Sequence, residues 1–216
     1  MSIFPVYVLF IAASFGASFL IYKHPNSEFY LKLFTPFLLA SLLVEIVALY
    51  LARQGKHNYN LYSVFTAFEF AYYSYIISCV IYNIKMRRAI RYILIVNGII
   101  AIVNIAFVQK DRFNSITYSF SCLLIVFFCI YYFFELFKYP KSVKLINEPA
   151  FWICSGLIFY YCCSFPMLGL TSFLPAMPDS IIRTIYFLLN VMNCLLYTLF
   201  IIAFLCRTKI MKSMSS

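Results

Sequence analysis

Long apolar runs separated by short polar joints organise the whole chain. Seven such runs occupy residues 3–22, 34–52, 61–83, 92–108, 118–137, 150–170 and 181–205. Each is apolar on all sides rather than along one stripe. Each is also close to the ~20 residues a helix needs to cross the ~30 Å hydrocarbon core of a bilayer. Strands of a membrane barrel would be about ten residues long with alternating polarity, so the pattern predicts an all-α bundle of seven transmembrane helices. Charge and turn chemistry mark the joints, as in Lys23-His24-Pro25-Asn26, Lys85-Met86-Arg87-Arg88 and Gln109-Lys110-Asp111-Arg112.

Composition strengthens this reading. Of 216 residues, 64% are apolar and 11% charged, where a soluble domain carries about 25% charge. The spans leave short connections and a basic tail at 207–216, so residues 1–216 read as one membrane domain with no room for a separate soluble domain. Lysine and arginine set the orientation, because short cytoplasmic loops carry an excess of them. Twelve lie on the side of joints 1–2, 3–4 and 5–6 and the tail, against five on the other side. This predicts the N-terminus outside and the C-terminus cytoplasmic. The net charge of +10 is mostly this asymmetry, and it points to anionic lipid headgroups rather than nucleic acid. The lysines flanking the first run follow it, the reverse of a secretory signal, so that run reads as a retained span. All eight cysteines fall within spans or at their inner ends, which suits packing and not a disulfide framework.

Several chemistries are excluded. His24 and His57 lie in joints on opposite sides, so neither a bis-histidine haem nor a histidine-based intramembrane metal site can be built. The last span has no lysine for a retinal Schiff base. There is no Gly-rich phosphate loop, and no serine with a histidine base at membrane depth. The chain is expected to be neither an enzyme nor the holder of a metal or cofactor.

Candidate chemistry is confined to polar side chains at membrane depth. A carboxylate there costs about 2.5–3.5 kcal/mol on insertion scales and turns to the bundle interior. Glu45 in the second span and Glu69 in the third both qualify, at similar depth below the outer surface. Tyr62, Thr66, Glu69 and Tyr73 share one helical face of the third span, and Arg183, Tyr186, Asn190, Asn193 and Tyr197 share one face of the seventh. Asn97 and Asn104 add a polar face on the fourth. Softer faces are Tyr118, Cys122, Cys129 and Tyr132 on the fifth and Trp152, Gly156, Tyr160 and Cys163 on the sixth. The pattern predicts a tyrosine-rich cavity in the outer half, floored by Asn193 and Tyr197, with Glu69 as its principal charge. Asn190 and Asn193 would orient a ligand, Tyr62 and Tyr73 would wall the cavity, and Arg183 would guard the mouth. Glu45, without a stripe of its own, is the lesser carboxylate. A packed polar seam would show the same spacing. Glu135 reads as an interfacial partner of Lys138.

The segments Glu69-Phe70-Ala71-Tyr72-Tyr73-Ser74 and Glu148-Pro149-Ala150-Phe151-Trp152-Ile153-Cys154-Ser155-Gly156, with Tyr160 one turn on, complete the picture. Together with the seven-span layout they resemble uncharacterised seven-helix inner-membrane proteins of Bacteroidetes-type bacteria, some of them encoded near sensor-kinase genes. The resemblance implies a bacterial inner-membrane location and a sensor-kinase partner, but no activity. The expected function is to bind or sense a small ligand in the outer cavity and signal through a separate partner. The alternatives are a proton-coupled transporter, in which Glu69 with Glu45 carries the proton, and a scaffold subunit of a membrane complex. Small seven-helix sugar and vitamin carriers pair spans 1–3 with 5–7. Here no sequence repeat links the halves, and Pro5, Pro36 and Pro166 have no counterpart in the fifth span.

Overall fold

A computed structural model of the chain describes residues 5–23, 28–109, 113–138, 145–169 and 178–214. All regular structure among them is helical. Helix α1 (Val6–Ser18) runs on into a 3-10 turn, and α2 (Phe29–Lys32) is one turn leading into α3 (Phe34–Arg53). Then come α4 (Tyr59–Val80) and α5 (Ile84–Val103), which ends in a π turn at Asn104–Val108. The chain closes with α6 (Ser115–Lys138), α7 (Pro149–Gly169) and α8 (Asp179–Met214).

Five helical segments are long and apolar enough to cross a membrane: Phe29–Arg53, Ile84–Val108, Ser115–Lys138, Pro149–Leu168 and Ser180–Cys206. Two of the seven expected spans fall outside this group. Val6–Tyr22 is apolar but shorter, and α4 has 22 residues but carries tyrosines, serines and Glu69 along its length. Helix α8 is longer than the pattern predicts. Its 36 residues span about 54 Å at ~1.5 Å per residue, so the basic tail begins as helix. No proline or glycine interrupts residues 206–214, and its lysines, arginine and methionines are good helix formers.

Helix α7 lies between α6 and α8; α8 packs also on α1, and α1 on α3, while α6 leads through α4 to α5. Residue 156 is glycine where α7 meets α8: a Cβ there would lie 3.2 Å from Leu196 and 3.4 Å from Leu199, so the small residue permits the close approach. Between α3 and α4 the contact is made by rings. Phe37 stacks on Tyr72 with centroids 3.9 Å apart and planes 2° from parallel, and Phe34 meets Tyr72, Phe200 and Phe204 edge-on. Helix α5 lies at the edge and leaves Tyr92, Ile95, Ile99, Ile102 and Phe107 exposed. Such a face costs nothing against lipid tails, which are as apolar as the side chains.

The α4–α5 joint corrects the expectation for Glu135. It is only 4% exposed, and both its oxygens are used by backbone: Oε2 accepts the Tyr82 N–H at 2.7 Å and Oε1 the Asn83 N–H at 3.0 Å. The Asn83 side chain in turn caps the Lys85 N–H at 2.9 Å. Lys138 sits 5.8 Å above the Phe134 ring. Glu135→Ala is expected to lower the melting temperature of the purified chain, because it strips both acceptors from the turn. Cap losses of about 1–2 kcal/mol translate to ~2–8 °C for a chain of this size. A scanning-fluorimetry trace identical to that of the wild type would show that the turn does not need the carboxylate.

Candidate functional site

Glu69 stands ten residues into α4, about 15 Å from the end of the bundle where α3 turns into α4. Its side chain is 8% exposed. It accepts no hydrogen bond from a described residue, and the other carboxylate within electrostatic reach is Glu45. Around it stand phenols from four helices: Tyr73 on α4, Tyr118 on α6, Tyr160 and Tyr161 on α7, and Tyr197 on α8, all within electrostatic reach of the carboxylate. Tyr73, Tyr118, Tyr161 and Tyr197 are each at most 4% exposed. The Tyr73 hydroxyl is buried without a hydrogen-bond partner. The hydroxyls of Tyr118 and Ser164 face one another without closing a bond.

This arrangement is uncommon, because buried polar groups are generally paired. A carboxylate can only accept, and a phenol can donate or accept. The cluster therefore lacks donors directed at Glu69, although several phenols could be turned to supply them. A bound molecule bearing N–H or O–H groups would satisfy the carboxylate directly, and flat aromatic faces favour a cationic one.

Glu45 is a different kind of site. Its Oε2 accepts the Tyr7 hydroxyl at 2.6 Å and the Tyr62 hydroxyl at 3.1 Å, so one carboxylate ties α1 and α4 to α3. Tyr62 thus belongs to Glu45 and not to the wall around Glu69. Glu45 lacks a stripe on its own helix because its donors come from neighbouring helices.

Of the α8 stripe, only Tyr197 is brought to Glu69. Asn190 Nδ2 donates to its own helix at the Tyr186 carbonyl (2.8 Å), and Asn193 Nδ2 does the same at Leu189 (3.0 Å). Back-bonding to the i−4 carbonyl is a common resting state for a short polar side chain inside a helix. Arg183 is exposed, and Tyr186 is 56% exposed. Each asparagine thus has one amide hydrogen engaged within α8.

Asn104 also lies elsewhere. Its Nδ2 donates to Thr117 Oγ1 at 2.8 Å, to Gln109 Oε1 at 3.0 Å and to Asn114 Oδ1. The Asn114 N–H reaches Ser63 Oγ on α4 at 3.1 Å, and Asn97 Nδ2 reaches Ser121 Oγ at 3.0 Å. Asn97 and Asn104 thus fasten α5 to α6 as a polar seam. The seam ends at the π turn, which closes with the Gln109 N–H on the Asn104 carbonyl at 2.8 Å.

The sequence pattern misses Tyr7, Tyr161 and Ser164. Tyr7 shares its helical face only with the small Ser14 and Ser18, which do not mark a site. Tyr161 and Ser164 sit beside the α7 face that carries Tyr160, and nothing in the spacing reveals how α7 is rotated. Comparison of the chain with protein-family models, with curated proteins and with solved structures gives no match.

Proposed function

We propose that this chain is a seven-span bacterial inner-membrane protein with its N-terminus outside, and that it binds a small ligand at Glu69 in the outer half of the bundle. In this reading α1 and α4 complete the seven spans, and the basic inner face passes the signal to a separate partner such as a sensor kinase. One observation carries the proposal: a buried carboxylate to which no described side chain donates, set among five tyrosines from four helices. Glu45, by contrast, receives two phenol hydroxyls from neighbouring helices.

The test is a thermal-shift screen of the full chain in detergent against small amides and amines at millimolar concentration. Compounds that raise the wild-type melting temperature should leave Glu69→Gln unmoved and should still stabilise Tyr186→Phe, whose hydroxyl lies on the exposed side of α8. A screen in which Glu69→Gln responds as the wild type does would sink the assignment.

A second reading, a proton-coupled carrier, draws on the electrostatic proximity of Glu45 to Glu69 and on a cavity at the opposite end of the bundle. It differs in one measurement. A carrier reconstituted in vesicles moves the stabilising compound across the bilayer and stops when Glu69 is replaced by glutamine, whereas a sensor binds it without flux.

A further inference from the structure

The end of the bundle where α4 turns into α5, about 16 Å along α4 from Glu69, holds an open cavity of about 350 Å³, lined by the segment before α3, the last turn of α4, the start of α5, the end of α6 and the start of α7. That volume is in the range of small-molecule sites. Its polar wall is formed by Glu28, Tyr30, Tyr82, Arg87, Tyr132 and Glu148. Tyr132, which lines the cavity, is only 4% exposed, and its hydroxyl makes no hydrogen bond to a described residue. Buried phenols ordinarily find a partner. The Tyr30 hydroxyl is directed at the Glu28 carboxylate, with Tyr132 and Glu148 in electrostatic reach of it. Arg87 is turned away in part, since its Nη2 donates to the Ile81 carbonyl at 2.7 Å.

The chemistry on offer is therefore the Glu148 carboxylate, a Glu28 carboxylate already engaged by Tyr30, the Arg87 guanidinium, a phenol oxygen that bonds to no described residue, and aromatic faces. This set matches an ammonium group, which has three donors and no acceptor and is attracted to ring faces. A metal ion fits less well, because no group of three or more His, Cys, Asp or Glu among the described residues could hold one. We propose that this cavity binds a primary ammonium group, received by Glu148 and Glu28 and oriented by Tyr132. Such a group is carried equally by a free small amine and by the headgroup of an aminophospholipid at the membrane surface.

The experiment uses the full-length chain, with ethanolamine hydrochloride as the free probe and nanodiscs of phosphatidylethanolamine or phosphatidylcholine as the lipid probe. Ethanolamine, phosphatidylethanolamine or both should raise the wild-type melting temperature above matched sodium chloride or phosphatidylcholine; which of the two does so identifies the source. Glu148→Gln should weaken the apparent affinity at least about tenfold, the loss of one charge-assisted hydrogen bond. Tyr132→Phe removes a hydroxyl that bonds to no described residue, so it should keep the basal melting temperature and still weaken the response. Glu69→Gln, about 16 Å along α4 from the cavity end, should respond as the wild type does, which separates this site from the one proposed above. No stabilisation by either probe, or an undiminished response in both Glu148→Gln and Tyr132→Phe, overturns the proposal.

Discussion

Glu69→Met is expected to raise the melting temperature of the purified chain by about 3–10 °C while abolishing its response to any compound that binds at Glu69. The physical case rests on an imbalance. The carboxylate is 8% exposed and receives no hydrogen bond from a described residue. A buried acceptor left unsatisfied costs about 1–3 kcal/mol, and replacing buried charge by a well-packed apolar side chain is often stabilising by ~1–4 kcal/mol. Methionine is unbranched and adapts to irregular space among the surrounding rings. At roughly 2–4 °C per kcal/mol for a chain of this length, the gain is measurable by scanning fluorimetry. A fall of several degrees would mean that Glu69 is a fastener and not a receptor, and the binding proposal would go with it.

Glu45→Leu should move the other way, and further. Two phenols converge on its Oε2 at 2.6 and 3.1 Å. Hydrogen bonds to a charged group contribute about 1.5–3 kcal/mol each, and both hydroxyls would be left in a largely apolar interior. The expected loss is about 3–5 kcal/mol, or ~6–20 °C, enough to threaten the fold outright. Tyr7→Phe and Tyr62→Phe each remove one donor and leave the carboxylate the other, so each should cost about 1–2 kcal/mol. In the double variant Tyr7→Phe/Glu45→Leu the effects should fall short of additive, because both substitutions remove the same bond. Full additivity would show that α1 is held to α3 by something else. The opposite signs at two acids of similar depth distinguish a carboxylate that joins helices from one left open to a ligand.

Much of the architecture is legible from one dimension. The extents of α3, α6 and α7 follow the predicted runs to within a few residues, and the joint between α3 and α4 falls on the predicted segment 53–58, but Lys85-Met86-Arg87-Arg88, expected as a joint, is the first turn of α5, which starts eight residues before the predicted run. The sites are less legible. Span 3 shows Tyr62, Glu69 and Tyr73 on one face, yet Tyr62 reaches Glu45 while Glu69 and Tyr73 lie among rings of α6, α7 and α8. Spacing identifies a face but not the neighbour that the face meets. Glu135 shows the same limit: three residues before Lys138 it reads as half of an ion pair, but the α4–α5 turn folds back onto it from more than fifty positions away. Asn190 and Asn193 align as a stripe and then bond to their own helix, a choice that no pattern of positions reveals.

What the sequence alone determines here is the solvent each segment is built for: helical, apolar all round, and in five cases long enough to cross a bilayer. That follows because hydrophobic transfer is a property of each segment summed over its own residues, whatever its neighbours. Only the tertiary structure decides that Glu45 receives two phenol hydroxyls while no described side chain donates to Glu69, that Tyr7 reaches Glu45, and that a cavity lies where α4 turns into α5. Those outcomes depend on how each helix is rotated about its axis. The rotation is set by rings such as Phe37 against Tyr72 and by close approaches such as Gly156 against Leu196, contacts between residues far apart in the chain.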